Sequence, residues 1–285
     1  MTQVRAAILV PAPDFHEAWH WAYDVEAEAL RRAGIEVEPR PWTDPGVLTG
    51  FDLVTPLVAW GYHLDPPRWH ALLDRLEAAD ATTLNPVELL RWNSDKRYLG
   101  ELGAAGIATV PTRLIESLDD GALAEVRQDF GDELVIKPPV SASADGTYRI
   151  SPADPIPDAA RGQTMMVQPF LRSVTSEGEY SVMMFGGRFS HCIVKRPKTG
   201  DYRVQPHLGG SEAPVSAPDG VIALAEAALA AAPAKAAYAR VDMVRDNDGH
   251  LCVIELELIE PALWLQHAPD GGASFAAAIV ERARQ

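Results

Sequence analysis

The chain has 285 residues, of which 47% are hydrophobic, enough for two domains or for one large domain with a substantial core. Its formal net charge is -15 without any long basic block, which argues against nucleic acid as a main partner, because phosphate binding requires a clustered positive surface. No apolar run has the length of a membrane span, the N-terminus lacks a signal-peptide pattern, and Cys192 and Cys252 lie in apolar runs, so we expect a cytoplasmic protein with two buried thiols and no membrane partner.

Strand-like and helix-like segments alternate over about the first 85 residues. Residues 6–10 form an apolar run that Pro11 ends, and residues 21–33 have helical spacing up to Gly34. The alternation continues with predicted strands at 35–37, 52–58 and 82–85 and a predicted helix at 69–79. This order is typical of a small parallel α/β domain. Neither a G-x-G-x-x-G motif after the first strand nor a Walker A sequence is present, so these two nucleotide-binding fingerprints are excluded.

Polar and aromatic residues follow the presumed carboxyl ends of these strands, where open α/β sheets bind ligands. They are Asp14, Phe15, His16, Trp60, Tyr62 and His63. Two interpretations stay open for them: contact with a substrate, or packing of the aromatic rings over the surface of the domain. For a lone histidine such as His63 the structural role is the more common one.

The middle of the chain carries two lysines on predicted regular structure. Asn93 or Ser94 is a candidate cap for a helix that contains Lys96. A predicted strand ends in Lys137, and the small polar residues 141–147 follow it. The backbone N–H groups of such a loop can bind phosphate, although the same composition suits a flexible surface loop. The predicted elements of this part are helices at 93–105 and 119–130 and strands at 134–136 and 165–170.

The next part is locally basic in an otherwise acidic protein. Lys195 begins a segment that contains Arg203, and the sequence His-Leu-Gly-Gly at 207–210 follows it. Arg203 is a candidate for binding an anionic group, and the alternative is a structural ion pair. The predicted elements around this segment are a hairpin formed by 179–185 and 188–195 and helices at 219–232 and 271–284.

Residues 238–261 contain two apolar runs on either side of Asp248-Gly249, the strongest short-range signal for a β-hairpin. A two-residue turn at this point places Asp242 opposite Glu255 and Arg240 opposite Glu257. Because side chains alternate along a strand, three carboxylates and one guanidinium then share one face. The residues expected on the opposite, apolar face are Val241, Met243, Ile254 and Leu256.

The acidic face is unfavourable without a partner, because like charges opposite each other destabilise a sheet and buried unpaired carboxylates are costly. Magnesium takes oxygen ligands and commonly joins carboxylates to substrate phosphates, so Asp242, Glu255 and Glu257 are candidate metal ligands. The alternative is an edge hairpin whose acidic side chains are solvated. An EF-hand loop is disfavoured, because its first ligand position would be Val244.

The order of these pieces resembles the ATP-grasp superfamily from about residue 85 to the end of the chain. The order is Lys96 on a helix, Lys137 on a strand, the small-residue loop, the Met-Val-Gln-Pro-Phe strand, Lys195 before Asp-Tyr-Arg, a Gly-Gly pair, and Asp followed by Glu-x-Glu. The segment 200–210 is similar to the ribosomal-protein glutamate ligases and glutathione synthetases. The Glu-Leu-Glu-Leu-Ile-Glu-Pro ending resembles the branch of cycloserine-forming cyclo-ligases.

The resemblance implies an ATP-grasp fold of the α/β and α+β classes with a parallel α/β domain ahead of it. The implied domains are residues 1–90 on the substrate side, a central lid-like domain at 91–170, and a C-terminal domain at 171–285 that carries the metal-binding hairpin. ATP would lie between the last two domains.

The resemblance also implies roles for individual residues. Those near the nucleotide would be Lys96, Lys137, the loop residues Ser141, Ser143 and Gly146, the strand residues Met166, Val167, Gln168 and Phe170, whose backbone would contact adenine, and Glu179 at the ribose or a lysine. Those at the metal and the transferring phosphoryl group would be Asp242, Glu255 and Glu257, and Lys195, Arg203 and Arg240. The implied cofactors are ATP and magnesium, with manganese as a substitute ion.

The implied activity is an ATP-dependent carboxylate–amine ligase or cyclo-ligase that acts on a small amino-acid-like substrate through an acyl phosphate and releases ADP and phosphate. Two positions depart from the family: Glu257 replaces a common Asn, and Gly146 is the only glycine of its loop. Alternatives are an ATP-binding sensor without turnover and a ligase that modifies a protein terminus. A homodimer is the oligomer expected from the prevalence of two-fold symmetry.

Overall fold

The computed structural model describes residues 4–284, which form three β-sheets. The first part contains β1 (Arg5–Val10), α1 (His20–Arg32), β2 (Glu36–Pro41), β3 (Leu53–Thr55), α2 (Pro66–Ala78), α3 (Val87–Asn93) and α4 (Tyr98–Ala104). The middle contains β4 (Arg113–Ile115), α5 (Asp120–Phe130), β5 (Leu134–Lys137), β6 (Tyr148–Ile150) and β7 (Met165–Pro169). The last part contains α6 (Ser173–Ser176), β8 (Glu179–Phe185), β9 (Arg188–Arg196), β10 (Ser211–Val215), α7 (Val221–Ala230), β11 (Tyr238–Arg245), β12 (Leu251–Glu257) and α8 (Ala273–Ala283).

The N-terminal sheet has three parallel strands in the order β2-β1-β3, as the alternating pattern predicts. The predicted strand at 82–85 is wrong, because this segment makes only a bridge between Thr83 and Val54. Its last residue, Asn85, instead donates to the carbonyl oxygens of Tyr238 and Leu258 at 3.0 and 2.8 Å and accepts from Ala237 at 2.6 Å. The chain therefore leaves the first sheet to bind the last one.

The other two sheets are antiparallel. The middle sheet has the order β4-β7-β5-β6, and the last has the order β10-β9-β8-β11-β12. Helix α5 begins where predicted, because the side chain of Asp119 accepts from the Ala122 amide at 2.7 Å. The parallel first sheet and the antiparallel sheets confirm the predicted α/β and α+β classes.

The segment around Lys96 differs from the single helix predicted at 93–105. Helix α3 ends at Asn93 and α4 begins at Tyr98, so the two candidate caps do not open a helix. At the end of β12, the side chain of Asn93 donates to the carbonyl oxygen of Leu256 and accepts from the amide of Leu258, at 2.9 Å each. Lys96 therefore lies in the link between two short helices that dock on β12, with only 6% of its surface exposed.

One hydrophobic cluster unites the N-terminal sheet with the last sheet. Phe275 on α8 and Tyr238 on β11 pack in the same cluster as Ile8 of β1. The middle sheet and α5 form a separate cluster that contains Leu123, Ile136 and other residues between 118 and 167. No helix in the part of the chain that the structure describes is long and apolar enough to cross a bilayer.

The acidic hairpin has the predicted pairs at its functional end and a different turn. Arg240 pairs with Glu257 and Asp242 with Glu255. Asp246 donates its backbone N–H to His250 at 2.8 Å, so the loop has three residues instead of two. A β-bulge between Asp242 and Met243 restores the predicted register.

The bulge also corrects the expected place of Ile254. We expect this residue on the apolar face with Val241, Met243 and Leu256, but it is only partly buried and contributes to the wall of the large cleft. The other three residues are buried, as predicted. The extra residue at a bulge is unpaired, which explains why Ile254 is less buried than these three.

Candidate active site

A cleft of about 1200 Å³ lies between the three sheets. Every predicted site residue except Met166 and Val167 lies on its wall. From the N-terminal loops Phe15, Trp60, Tyr62 and His63 reach the cleft, whereas Asp14 and His16 are not part of its lining.

The centre of the site is Asp242 on β11, which is 2% exposed. Its carboxylate accepts from Lys195 at 2.9 Å, from Arg240 at 3.0 Å and from the hydroxyl of Ser181 at 2.6 Å. Burial alone would raise the pKa of Asp242, but the neighbouring charges of Arg240 and Lys195 outweigh burial and hold that pKa well below its usual value. The carboxylate is therefore ionised, and it fixes both cations in place.

Ser181 is a functional residue that the sequence prediction missed. It lies directly opposite Asp242 in the pairing of β8 with β11 and is fully buried. The available signal was one serine in the otherwise apolar run 180–185, which is a weak pattern.

Two further acids surround this centre. Glu179 forms an ion pair with Lys195, and Glu257 forms one with Arg240. Burial raises the pKa of Glu179 to about 7, although the Lys195 charge opposes this shift. Burial also raises the pKa of Glu257, again against the opposing charge of Arg240. Arg240 thus compensates the extra carboxylate at 257, which departs from the common family pattern.

Two lysines face the other side of the cleft. The ammonium of Lys96 lies 3.2 Å from the carboxylate of Glu255 and also donates to the backbone oxygen of Ser141. Lys137 is 7% exposed, and its ammonium group has no hydrogen bond or ion pair with the residues between 4 and 284. Burial lowers the pKa of Lys137 to about 8, with Lys96 adding to the effect. Lys137 is therefore a buried cation available to an anionic ligand.

The predicted loop at 141–147 bends sharply at the cleft. Ser143 and Ala144 have positive φ angles of 53° and 62°, and Gly146 has a φ of 64°. A Cβ atom at Gly146 would lie 2.8 Å from Cγ of Pro138, so the single glycine of the loop is sterically required. The contact of Ser141 with Lys96 connects the loop to the lysine end of the cleft.

Only the end of β7, the strand whose backbone is predicted to contact adenine, reaches the cleft. Met166 and Val167 are 1% and 0% exposed, and β7 is paired on both edges, with β4 and with β5. Their backbone groups are therefore used within the sheet, because a central strand has no free edge. The cleft wall is formed instead by Gln168, Phe170 and Leu171.

Arg203 lines the cleft but forms no ion pair with Asp242, Glu255 or Glu257. Its guanidinium binds Asp201 in a bidentate way, with nitrogen–oxygen distances of 3.0 and 3.2 Å. These bonds lower the pKa of Asp201 well below its usual range. The arginine is held in one orientation, with 36% of its side chain exposed.

The ring of Trp264 packs against the two cations that bind Asp242. Its ring lies 5.0 Å from the guanidinium carbon of Arg240 and 5.9 Å from the ammonium of Lys195. The residue is 5% exposed and has a φ of 43°, a left-handed conformation that is uncommon for a bulky side chain.

The carboxylate oxygens of the cleft are suitable ligands for magnesium, but on their own they do not form a complete coordination site. Around the cleft, Asp242, Glu255 and Glu257 do not bring three oxygens together at one point. Among the described residues, the group of three close ligand atoms consists of two carboxylate oxygens and one imidazole nitrogen, from Asp246, Asp248 and His250 on the hairpin loop. The carboxylates of Asp242, Glu255 and Glu257 are instead each neutralised by Lys96, Lys195 or Arg240. Such a donor set fits an ion that arrives with phosphate oxygens and completes its shell with them.

The comparisons with known proteins agree with this geometry. The family described as the N-terminal domain of D-cycloserine synthetase DcsG matches residues 8–85. The cycloserine biosynthesis protein DcsG of Streptomyces lavendulae is 34% identical over 278 residues, which cover 90% of this chain and 91% of that protein. The crystal structure of D-cycloserine synthetase DcsG superposes with a TM-score of 0.83 at 28% identity, covering 98% of this chain and 99% of that one.

A more distant structure has the same fold. D-alanine–D-alanine ligase from Bacillus anthracis superposes with a TM-score of 0.72 at 16% identity, over 99% of this chain and 97% of that one. Together with the extensive identity to DcsG, this likeness confirms the resemblance noted in the sequence. The chain belongs to the ATP-grasp ligases, in the family of the D-cycloserine synthetases, and is an ATP-dependent ligase.

Proposed function

We propose that the chain closes a ring within a small amino-acid-like substrate by joining its carboxylate to a nitrogen of the same molecule. The observation that carries this is the buried Arg240–Asp242–Lys195 cluster, which faces the same cleft as Lys137. The relation to DcsG supports ring closure, and a cyclisation needs one substrate beside ATP in the cleft.

The reaction proceeds in two steps that the charges of the cleft favour. A substrate carboxylate oxygen attacks the γ-phosphorus of ATP, and the bond to the leaving oxygen of ADP breaks. The nitrogen then attacks the acyl carbon and loses its proton, and phosphate leaves with the electrons of the carbon–oxygen bond. Phosphoryl transfer depends on positioning and on neutralising charge, which Arg240, Lys195 and Lys137 supply.

The nucleotide end of the cleft is assigned to the lysines, the loop and the end of β7. Lys96 and Lys137 bind phosphate oxygens, and Ser141, Ser143 and Gly146 belong to the loop that covers them. Gln168 and Phe170 lie at the adenine with Leu171, whose backbone N–H has no partner within residues 4–284. Glu179 holds Lys195 or the ribose, and Arg203 approaches the phosphates from the edge.

Magnesium, or manganese in its place, would be held by Asp242, Glu255 and Glu257 together with phosphate oxygens, and would neutralise charge on the nucleotide.

Boundaries at residues 90 and 170 remain our proposal for three domains. A homodimer and a cytoplasmic location are proposals of the same kind, and scattering in solution tests the former.

The test is release of ADP and phosphate from ATP and magnesium in the presence of O-ureidoserine, amino acids and small peptides. We expect turnover with O-ureidoserine or a related amino acid, and a loss of at least about 100-fold in Glu255→Gln, because this change removes one charge that binds both Lys96 and the ion. Glu88→Gln, an exposed position on α3, is the control and should keep full activity. Release of AMP and pyrophosphate would contradict the acyl-phosphate route.

A further inference from the structure

Among the cleft-lining acids of β11, β12 and the loop after β12, one has no cation bound to it. The acids of β11 and β12 are paired: Asp242 with Arg240 and Lys195, Glu255 with Lys96, and Glu257 with Arg240. Glu260 follows them in the loop after β12 and also lines the cleft. Its carboxyl group makes no hydrogen bond or ion pair with any residue from 4 to 284.

The backbone of Glu260 is fixed although its carboxyl group is unpaired. The indole of Trp60 donates to the Glu260 carbonyl oxygen at 3.2 Å, and Trp21 lies against Trp60 with ring centroids 5.6 Å apart. Both tryptophans line the cleft, so the loop that carries Glu260 lies beside an aromatic wall contributed by the N-terminal part.

The surroundings of Glu260 favour an added cation. Behind it Glu26 of α1 is 2% exposed, and its Oε2 atom has no hydrogen-bond partner in the described chain. Burial raises the pKa of Glu260 well above its usual value, and the charge of Glu257 adds to this shift, although the charges of Arg240 and Lys96 oppose it. Burial likewise raises the pKa of Glu26, with Glu260 adding to the shift. A cationic ligand would relieve this repulsion, and indole faces attract ammonium groups.

We propose that Glu260 binds the ammonium group of the substrate against the indole of Trp60 and thereby selects an amino acid over the corresponding acid without nitrogen. This inference rests on the proposed function, which supplies an amino-acid-like substrate. Arg240 donates to the Ala262 carbonyl oxygen at 3.3 Å, so the guanidinium lies against the loop that carries Glu260. An ammonium at Glu260 therefore leaves the substrate carboxylate on the side of Arg240, where phosphoryl transfer takes place.

Glu17 is the rival acid, because it also lines the cleft and comes from the N-terminal loops. It is exposed, so water already solvates its charge, and adding a ligand there gains less than at Glu260. The two positions make opposite predictions for the same pair of variants.

The experiment compares O-ureidoserine with its analogue that lacks the α-ammonium group, for wild type, Glu260→Gln and Glu17→Gln. We expect Glu260→Gln to raise the KM for O-ureidoserine about 10- to 100-fold, since a charged hydrogen bond is lost, while the KM for ATP changes less than about threefold. Wild type and Glu17→Gln should discriminate strongly against the analogue, and Glu260→Gln should not. Thermal stabilisation by ATP verifies that each variant is folded.

Discrimination retained in Glu260→Gln, or lost in Glu17→Gln, would overturn the proposal. If Glu260→Gln does not fold, Glu260→Asp replaces it: a shortened carboxylate should raise the KM for O-ureidoserine and keep its preference over the analogue. Failure of the proposed function has a different signature, because wild type then releases no ADP with O-ureidoserine although ATP still stabilises it.

Discussion

At the scale of single residues, Trp264 combines a local strain with a contact to the reacting centre. A left-handed backbone costs a bulky residue about 1–2 kcal/mol, so surrounding contacts must hold it in place. The ring faces Arg240 at 5.0 Å and Lys195 at 5.9 Å, and both cations also bind Asp242. We infer that the ring fixes the two cations in the direction needed at the transferring phosphoryl group.

Replacing Trp264 separates the contribution of the ring face from that of buried volume. Trp264→Leu and Trp264→Phe both fill part of the space, but only Phe keeps a ring, and a desolvated cation–π contact is worth about 2 kcal/mol. We therefore expect kcat about tenfold or more lower in Trp264→Leu than in Trp264→Phe, with a similar KM for ATP and a similar midpoint of urea unfolding. Equal kcat values in the two variants would show that Trp264 acts through packing alone.

At the scale of elements, Gly178 sets the distance between β8 and β9. Its φ is +99°, and a Cβ atom there would lie 2.4 Å from the carbonyl oxygen of Lys195. Gly187 is a matched control in the hairpin between the same strands, with a φ of +76° and no neighbour within 4 Å of an added Cβ. A side chain added at Gly178 would therefore displace the strand that holds Lys195, and one added at Gly187 would not.

We expect Gly178→Ala to lower the free energy of unfolding by about 2 kcal/mol or more and to reduce ADP release, because Lys195 moves away from Asp242 and Glu179. Gly187→Ala should cost only about 1–2 kcal/mol, the strain of its backbone, and keep its activity. Urea unfolding and ADP release measure the two effects. A Gly178→Ala protein as stable and active as Gly187→Ala would contradict the assigned contact.

The elements also show what local sequence can and cannot predict. The pairs Arg240–Glu257 and Asp242–Glu255 followed from side-chain alternation, although the two-residue turn was wrong and a bulge restored the register. The expected strand at 82–85 and the single helix at 93–105 failed because Asn85 and Asn93 bind backbone atoms more than 150 positions away. Local sequence propensity carries no information about such distant partners, and the position of Lys96 depends on them.

At the scale of the whole molecule, the middle sheet is joined to the rest in a way that permits movement. Most of its buried residues form their own cluster between residues 118 and 167, and Met166 packs with the last sheet, whereas the first and last sheets share a cluster. The connection after β7 is held by the side chain of Asn247, which binds the Phe170 carbonyl oxygen at 3.1 Å and the Arg172 amide at 3.2 Å. The loop at 141–147 belongs to this separately packed part and faces the cleft.

A separately packed part above a reactive intermediate should close when the nucleotide binds, because excluding water protects an acyl phosphate from hydrolysis. We expect ATP with magnesium to slow amide hydrogen exchange about tenfold or more in residues 141–147, where Ser141 contacts Lys96 and the hydroxyl of Tyr202 lies 3.3 Å from the Thr147 carbonyl oxygen. Exchange in β8 and β11, whose pairing does not depend on closure, is the internal control and should not change. Uniform protection of the whole chain would indicate general stabilisation by a ligand, and unchanged exchange at 141–147 would show that this loop does not cover the nucleotide.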